Sequence, residues 1–151
     1  MPNSAISSSP LSSSTASPVV PRAHGELILV VDDQQAIRDL LATVLTSHGY
    51  RALVAVDGND ALGVFKQQTT NLAAVITDLN MPQVAGGSLT DLVRLLRAEK
   101  IPILFMSGTN GSRHSAVLGA SQDPFLLKPF RPVALLQAVH QLLLQRGAPK
   151  T

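Results

Sequence analysis

Four places in the sequence carry side chains that could do chemistry together: Asp32-Asp33, Asp78, Ser107 and Lys128. They offer three carboxylates, a hydroxyl and an ammonium group. Clustered carboxylates repel one another, and a hard divalent cation relieves that repulsion. A donor set made only of oxygens, with no His or Cys in it, suits Mg²⁺. Three acids, one divalent cation and one lysine then sum to zero formal charge. Such a site suits a phosphoryl group, because cation and ammonium neutralise its outer oxygens while a carboxylate attacks in line.

Each of these residues alone has an ordinary structural explanation. An Asp pair after a strand commonly caps the next helix. Thr77-Asp78 reads as a loop acid, Ser107-Gly108 as a turn pair, and Lys128-Pro129 as a strand end before a helix. Their coincidence at successive strand ends is what favours chemistry.

The elements that must position them alternate along the chain. Leu27–Val31 is a continuous aliphatic run, which suits a strand buried on both faces. Ala36, Ile37, Leu40, Leu41, Val44 and Leu45 recur at helical spacing, and Gly49 supplies a stop. Arg51 to Val56 reads as a second strand, and a second helix follows Asp57-Gly58. Leu72 to Thr77 is a third strand, and Leu89, Leu92, Val93 and Leu96 mark a third helix. Ile103 to Met106 is a fourth strand, and a short, weak helix is expected between Gly108 and Asp123. Phe125 to Leu127 is a fifth strand, and Pro132 opens a last helix with Leu135, Leu136, Val139, Leu142 and Leu143 on one face.

Strict alternation predicts an α/β fold with a parallel sheet and helices on both faces. At this size the flavodoxin-like, doubly wound (βα)5 three-layer sandwich with strand order 2-1-3-4-5 is the natural choice. In that order the first and third strands are neighbours, so Asp33 and Asp78 can reach one small ion. The fifth strand lies two places from the third, roughly 10 Å away, and only a long side chain such as Lys128 spans that gap.

The 151 residues allow one ordinary domain. Aromatic residues make up 3% of the chain, so its core must be mostly aliphatic. There is no cysteine, which excludes a disulfide framework, thiolate metal sites and a cysteine nucleophile. Within Gly25 to Arg146, ten Lys and Arg balance ten Asp and Glu, which argues against direct nucleic-acid binding. No apolar run approaches the roughly 20 residues needed to span a bilayer. The first 24 residues hold eight Ser and four Pro, a composition too poor in apolar surface to order itself. The expected organisation is therefore a disordered Ser/Pro-rich tail over 1–24, a domain over 25–146 and a short C-terminal tail over 147–151.

Taken together, the motifs resemble those of a response-regulator receiver domain over roughly Glu26 to Gln145. They are Leu29-Val30-Val31-Asp32-Asp33, Asp57-Gly58 with Ala61-Leu62, Thr77-Asp78-Leu79-Asn80-Met81-Pro82, Gly86, Met106-Ser107-Gly108 and Phe125-Leu126-Leu127-Lys128-Pro129-Phe130. The resemblance implies that Asp78 is the phosphoacceptor, supplied by a histidine kinase or histidine phosphotransfer protein of a two-component or phosphorelay system. It implies that Asp33 binds Mg²⁺ directly, that Asp32 acts mainly through water, and that the main-chain carbonyl of Asn80 is a further metal ligand. Ser107 would hydrogen-bond the phosphoryl group and Lys128 pair with it. Ser107 and Phe125 would form the switch, although plain core packing is an equal reading of Phe125.

The chain departs from the family pattern at Ala85 and Ser88, where acids are usual, and at Arg131, where a small polar cap is usual. The implied output is contact with a downstream protein partner, without nucleic acid or membrane, in the cytoplasm. A short C-terminal extension and the Ser-rich start favour a free single-domain receiver, while the wording around Gly25–Leu29 and Phe105–Gly108 also resembles receivers fused to hybrid histidine kinases. A receiver of this kind is not an enzyme beyond its own phosphorylation and dephosphorylation. Two alternatives are an Mg²⁺-dependent phosphohydrolase on a similar sheet and a constitutive docking module. The first lacks a cap insertion and a second Asp two residues after Asp78, and the intact acid, hydroxyl and lysine set speaks against the second.

Overall fold

A computed structural model describes residues 20–68, 71–79, 88–108 and 124–147. Along the chain run β1 (Leu27–Val31), α1 (Gln35–Ser47), β2 (Arg51–Ala55), α2 (Gly58–Gln68), β3 (Leu72–Asp78), α3 (Ser88–Ala98), β4 (Ile103–Ser107), β5 (Phe125–Leu127) and α4 (Pro132–Gly147). The strands form one all-parallel sheet in the order β2-β1-β3-β4-β5, as the alternation predicts. The weak helix expected between Gly108 and Asp123 lies outside the described residues.

The aliphatic runs become the inner strands for a plain reason. Every residue of β1, β3 and β4 is buried, so each strand must be apolar on both faces. One core layer joins Leu29, Val31, Val75, Ile103 and Phe105 to Ala61 and Phe65 of α2 and to Leu89, Leu92, Val93 and Leu96 of α3. The other joins Ile28, Val30, Ile76, Leu104 and Met106 to Leu41 and Leu45 of α1 and to Leu135, Val139 and Leu142 of α4. Alternate residues of each strand thus serve opposite layers, which is the period-two geometry of a strand. Edge strand β2 is more exposed, and Val54 on it is 45% exposed.

Local chemistry sets the element ends. Asp57 Oδ1 accepts from Asp60 N at 2.8 Å, and Asp60 Oδ2 accepts from Val56 N at 3.0 Å. These two bonds resemble a capping box whose return arm reaches one residue further back, to Val56, and they start α2. Gly49 ends α1 with φ at +98°, and a Cβ there would come 2.7 Å from the main-chain oxygen of Ala23. Only glycine fits both demands. The residue approached belongs to the segment Val20–Gly25, which lies along the end of α1. Ala23 N donates to His48 O and Gly25 N to Gly49 O, each at 2.9 Å, and His48 Nε2 lies 2.8 Å from Val20 O and 3.0 Å from Pro21 O. His48, the C-cap of α1, thus ties this segment to the helix end.

Candidate functional site

Sheet register brings the chemistry-bearing residues to one rim. Val31 pairs with Thr77, so Asp32 stands level with Asp78, the last residue of β3. Asp78 pairs with Met106, which puts Ser107 one step further along β4. Ser107 pairs with Leu127, and Lys128 follows at the exit of β5. Backbone bonds extend the ladder past the strand ends: Asp32 N donates to Ala55 O at 3.1 Å, Leu79 N to Met106 O at 2.9 Å and Lys128 N to Ser107 O at 2.8 Å. The peptide bond between Lys128 and Pro129 is cis.

Carboxylate oxygens of Asp32, Asp33 and Asp78 lie within 4.8 Å of one another. Asp32 is fully buried, Asp78 is buried and Asp33 is exposed. Lys128 Nζ donates to Asp32 Oδ2 at 3.0 Å and forms an ion pair with Asp78 Oδ2 at 3.2 Å, with its side chain 20% exposed. Burial, the largest single influence on Lys128, pushes its pKa down. The hydrogen bond to Asp32 and the negative charges of Asp78 and Asp32 together outweigh it, so the net shift is upward. Lys128 is therefore a fixed cation at neutral pH.

Asp32 is held on every side. Its Oδ1 accepts from Gln34 N at 2.9 Å and its main-chain oxygen from Arg38 Nη1 at 2.8 Å, while Lys128 takes Oδ2. The side chain of Asp33, by contrast, makes no hydrogen bond or ion pair among the described residues. Three clustered acids against one lysine that pairs with two of them leave the rim with excess negative charge, and this all-oxygen set fits a hard divalent cation.

Asp32, Asp33, Asp78 and Lys128 thus converge as the sequence pattern predicts. Ser107 is fully buried at the neighbouring strand end. Phe125 begins β5 opposite Phe105 and packs, partly buried, against the α2/α3 core layer. Asn80 lies outside the described residues. Arg38 was not anticipated. Its place on α1 follows from helical spacing, but nothing in the residue types indicates that its guanidinium turns back to the Asp32 carbonyl.

Comparison with known proteins agrees with this geometry. The model of the response regulator receiver domain family matches residues 28–140. The chain belongs to that family. It is 34% identical over 119 residues to the "Probable transcriptional regulator ycf27" of Porphyridium aerugineum, covering 78% of this chain and 48% of the relative. It is 35% identical over 125 residues to the "CAI-1 autoinducer sensor kinase/phosphatase CqsS" of Vibrio cholerae, covering 81% of this chain and 18% of that protein. Among solved structures, the response regulator protein TrrA from Thermotoga maritima, in complex with Mg²⁺-BeF, superimposes with a TM-score of 0.64 at 31% identity, covering 78% of this chain and 99% of that one. The chain spans about half the length of the first of these relatives and less than a fifth of the second. It is a two-component receiver, a signalling module with no enzyme family indicated. Among the described residues, no helix is long and apolar enough to cross a membrane.

Proposed function

We propose that Asp78 is the residue that takes the phosphoryl group, from a phosphohistidine on a histidine kinase or histidine phosphotransfer protein. A carboxylate oxygen of Asp78 attacks phosphorus, the P–N bond breaks as the O–P bond forms, and the leaving imidazole takes up a proton from water. Asp33 and Asp78, with the Asn80 carbonyl, would hold Mg²⁺ directly, and Asp32 would act through water, since both of its carboxylate oxygens already accept hydrogen bonds. The cation would supply charge neutralisation for the incoming phosphoryl oxygens.

Lys128 carries the reading. Its ammonium already sits 3.2 Å from Asp78, where it can follow the negative charge from the carboxylate to the new acyl phosphate. Ser107, at the adjacent strand end, would donate its hydroxyl to a phosphoryl oxygen, and Phe125 would respond at the sheet edge. The altered edge would then be read by a downstream protein partner. In this reading the domain spans 25–146, with Val20–His24 laid against the end of α1, and works in the cytoplasm, where phosphohistidine is made from ATP.

The test is labelling with acetyl phosphate and Mg²⁺. One acyl phosphate, labile to base and to hydroxylamine, is expected, absent with EDTA and absent in Asp78→Asn. Retained label in Asp78→Asn would overturn the assignment of the acceptor.

A further inference from the structure

Asp33 is the most exposed of the three acids, and its side chain has no partner among the described residues to aim it. Its direction therefore depends on the backbone that carries it. The peptide unit leading into Asp33 is the one whose oxygen belongs to Asp32. That oxygen accepts a hydrogen bond from Arg38 Nη1 at 2.8 Å, in a partly buried setting. The main chain that carries Arg38 is fixed, because its N–H donates to Gln34 O at 3.1 Å within the first turn of α1. On the other side of the same loop, Asp32 Oδ1 accepts from Gln34 N. Gln34, at the N-cap of α1, makes no side-chain cap bond, so these contacts, rather than a conventional cap, hold the turn between β1 and α1.

We infer that Arg38 is a positioning residue for the divalent cation: by gripping the Asp32 carbonyl it sets the plane of the Asp32–Asp33 peptide and so aims the Asp33 carboxylate at the ion. The inference rests on the proposed Mg²⁺ role of Asp33. It has a sign that charge alone would reverse. Arg38 is a cation close to a cation site, so deleting it should, by Coulomb's law, tighten Mg²⁺ binding. If its task is to orient a ligand, deletion should weaken binding instead, by about 10-fold, as groups that orient metal ligands generally do.

The experiment is an Mg²⁺ titration of the full chain, followed by amide NMR shifts in the absence of any phosphodonor. Wild type, Arg38→Ala, Arg38→Lys, Asp33→Asn and the Asp33→Asn/Arg38→Ala double variant are compared. The expected result is a dissociation constant raised about 10-fold in Arg38→Ala, partly restored in Arg38→Lys, with no added loss when Asp33 is already Asn. With acetyl phosphate, the Mg²⁺ concentration for half-maximal labelling should rise in Arg38→Ala while the rate at saturating Mg²⁺ holds. An unchanged or tighter Mg²⁺ constant in a folded Arg38→Ala overturns the inference, as does an equal loss in the Asp33→Asn background. Failure of wild type itself to bind Mg²⁺ would instead overturn the reading of the metal site.

Discussion

Replacing Lys128 with Met keeps most of the aliphatic stem and removes the charge from between two buried carboxylates. In the wild-type fold the ammonium lies 3.0 Å from Asp32 Oδ2 and 3.2 Å from Asp78 Oδ2. At an effective dielectric constant of about 20, each contact has a gross Coulomb attraction of roughly 5 kcal/mol. Desolvation of the lysine opposes that gain, and removing one partner of a buried pair typically costs about 3–5 kcal/mol. The lysine is one-fifth exposed, so water screens part of the loss, and a cost of about 2–3 kcal/mol is expected. For a domain of this size that is a fall of roughly 6–10 °C in Tm. Urea unfolding followed by far-UV circular dichroism, with and without Mg²⁺, measures it. The stranded acids should make the variant gain more stability from Mg²⁺ than wild type does. A variant as stable as wild type, with the same Mg²⁺ response, would refute the idea that Lys128 balances the acid cluster.

Asp33→Asn removes one of three mutually repelling acids without touching a hydrogen bond among the described residues, so it should raise stability in EDTA at low salt while weakening Mg²⁺ binding; urea midpoints in EDTA and in Mg²⁺ should shift in opposite directions. The pH dependence follows from Lys128, whose folded pKa is raised above its ordinary 10.5. Its contribution is complete below that value and is lost as pH rises through the higher folded value, so alkaline unfolding should begin later in wild type than the Lys128→Met baseline would give. Gly49→Ala should cost at least about 1 kcal/mol, because the residue has positive φ and its Cβ would meet the Ala23 carbonyl; thermal melts and proteolysis near Ala23 both report it. Phe105→Ala empties a fully buried aromatic site and should cost about 3–5 kcal/mol in the same urea assay.

Much of this architecture is readable in the residues because buried parallel strands leave little choice. Leu27–Val31, Leu72–Asp78 and Ile103–Ser107 have to be apolar on both faces, so a polar residue at or just past their ends stands out. Asp32, Asp78 and Ser107 stand out in that way, and strand order explains why a long side chain is needed to come in from β5. The terminal residues of β3 and β4 ran one position beyond the sequence estimate, since Asp78 and Ser107 still satisfy the ladder by pairing with Met106 and Leu127.

What stayed hidden were contacts made by main-chain oxygens, which leave no mark on residue type. Arg38 looks like an ordinary solvent-facing helix residue until its bond to the Asp32 carbonyl is seen. His48 likewise reads as a surface histidine at a helix end, yet its ring lies against the carbonyls of Val20 and Pro21. Asn80, which the resemblance marks for metal binding, and the weak helix expected before β5 fall outside the described residues.

The most direct measurement is a beryllofluoride titration of the isotopically labelled chain in Mg²⁺, read by amide NMR. A saturable set of shifts is expected at Asp33, Asp78, Ser107 and Lys128 together, spreading to Phe125 and abolished in Asp78→Asn. No shift on addition of beryllofluoride, or shifts that persist in Asp78→Asn, would contradict the claim that these strand ends form one phosphoryl-accepting site.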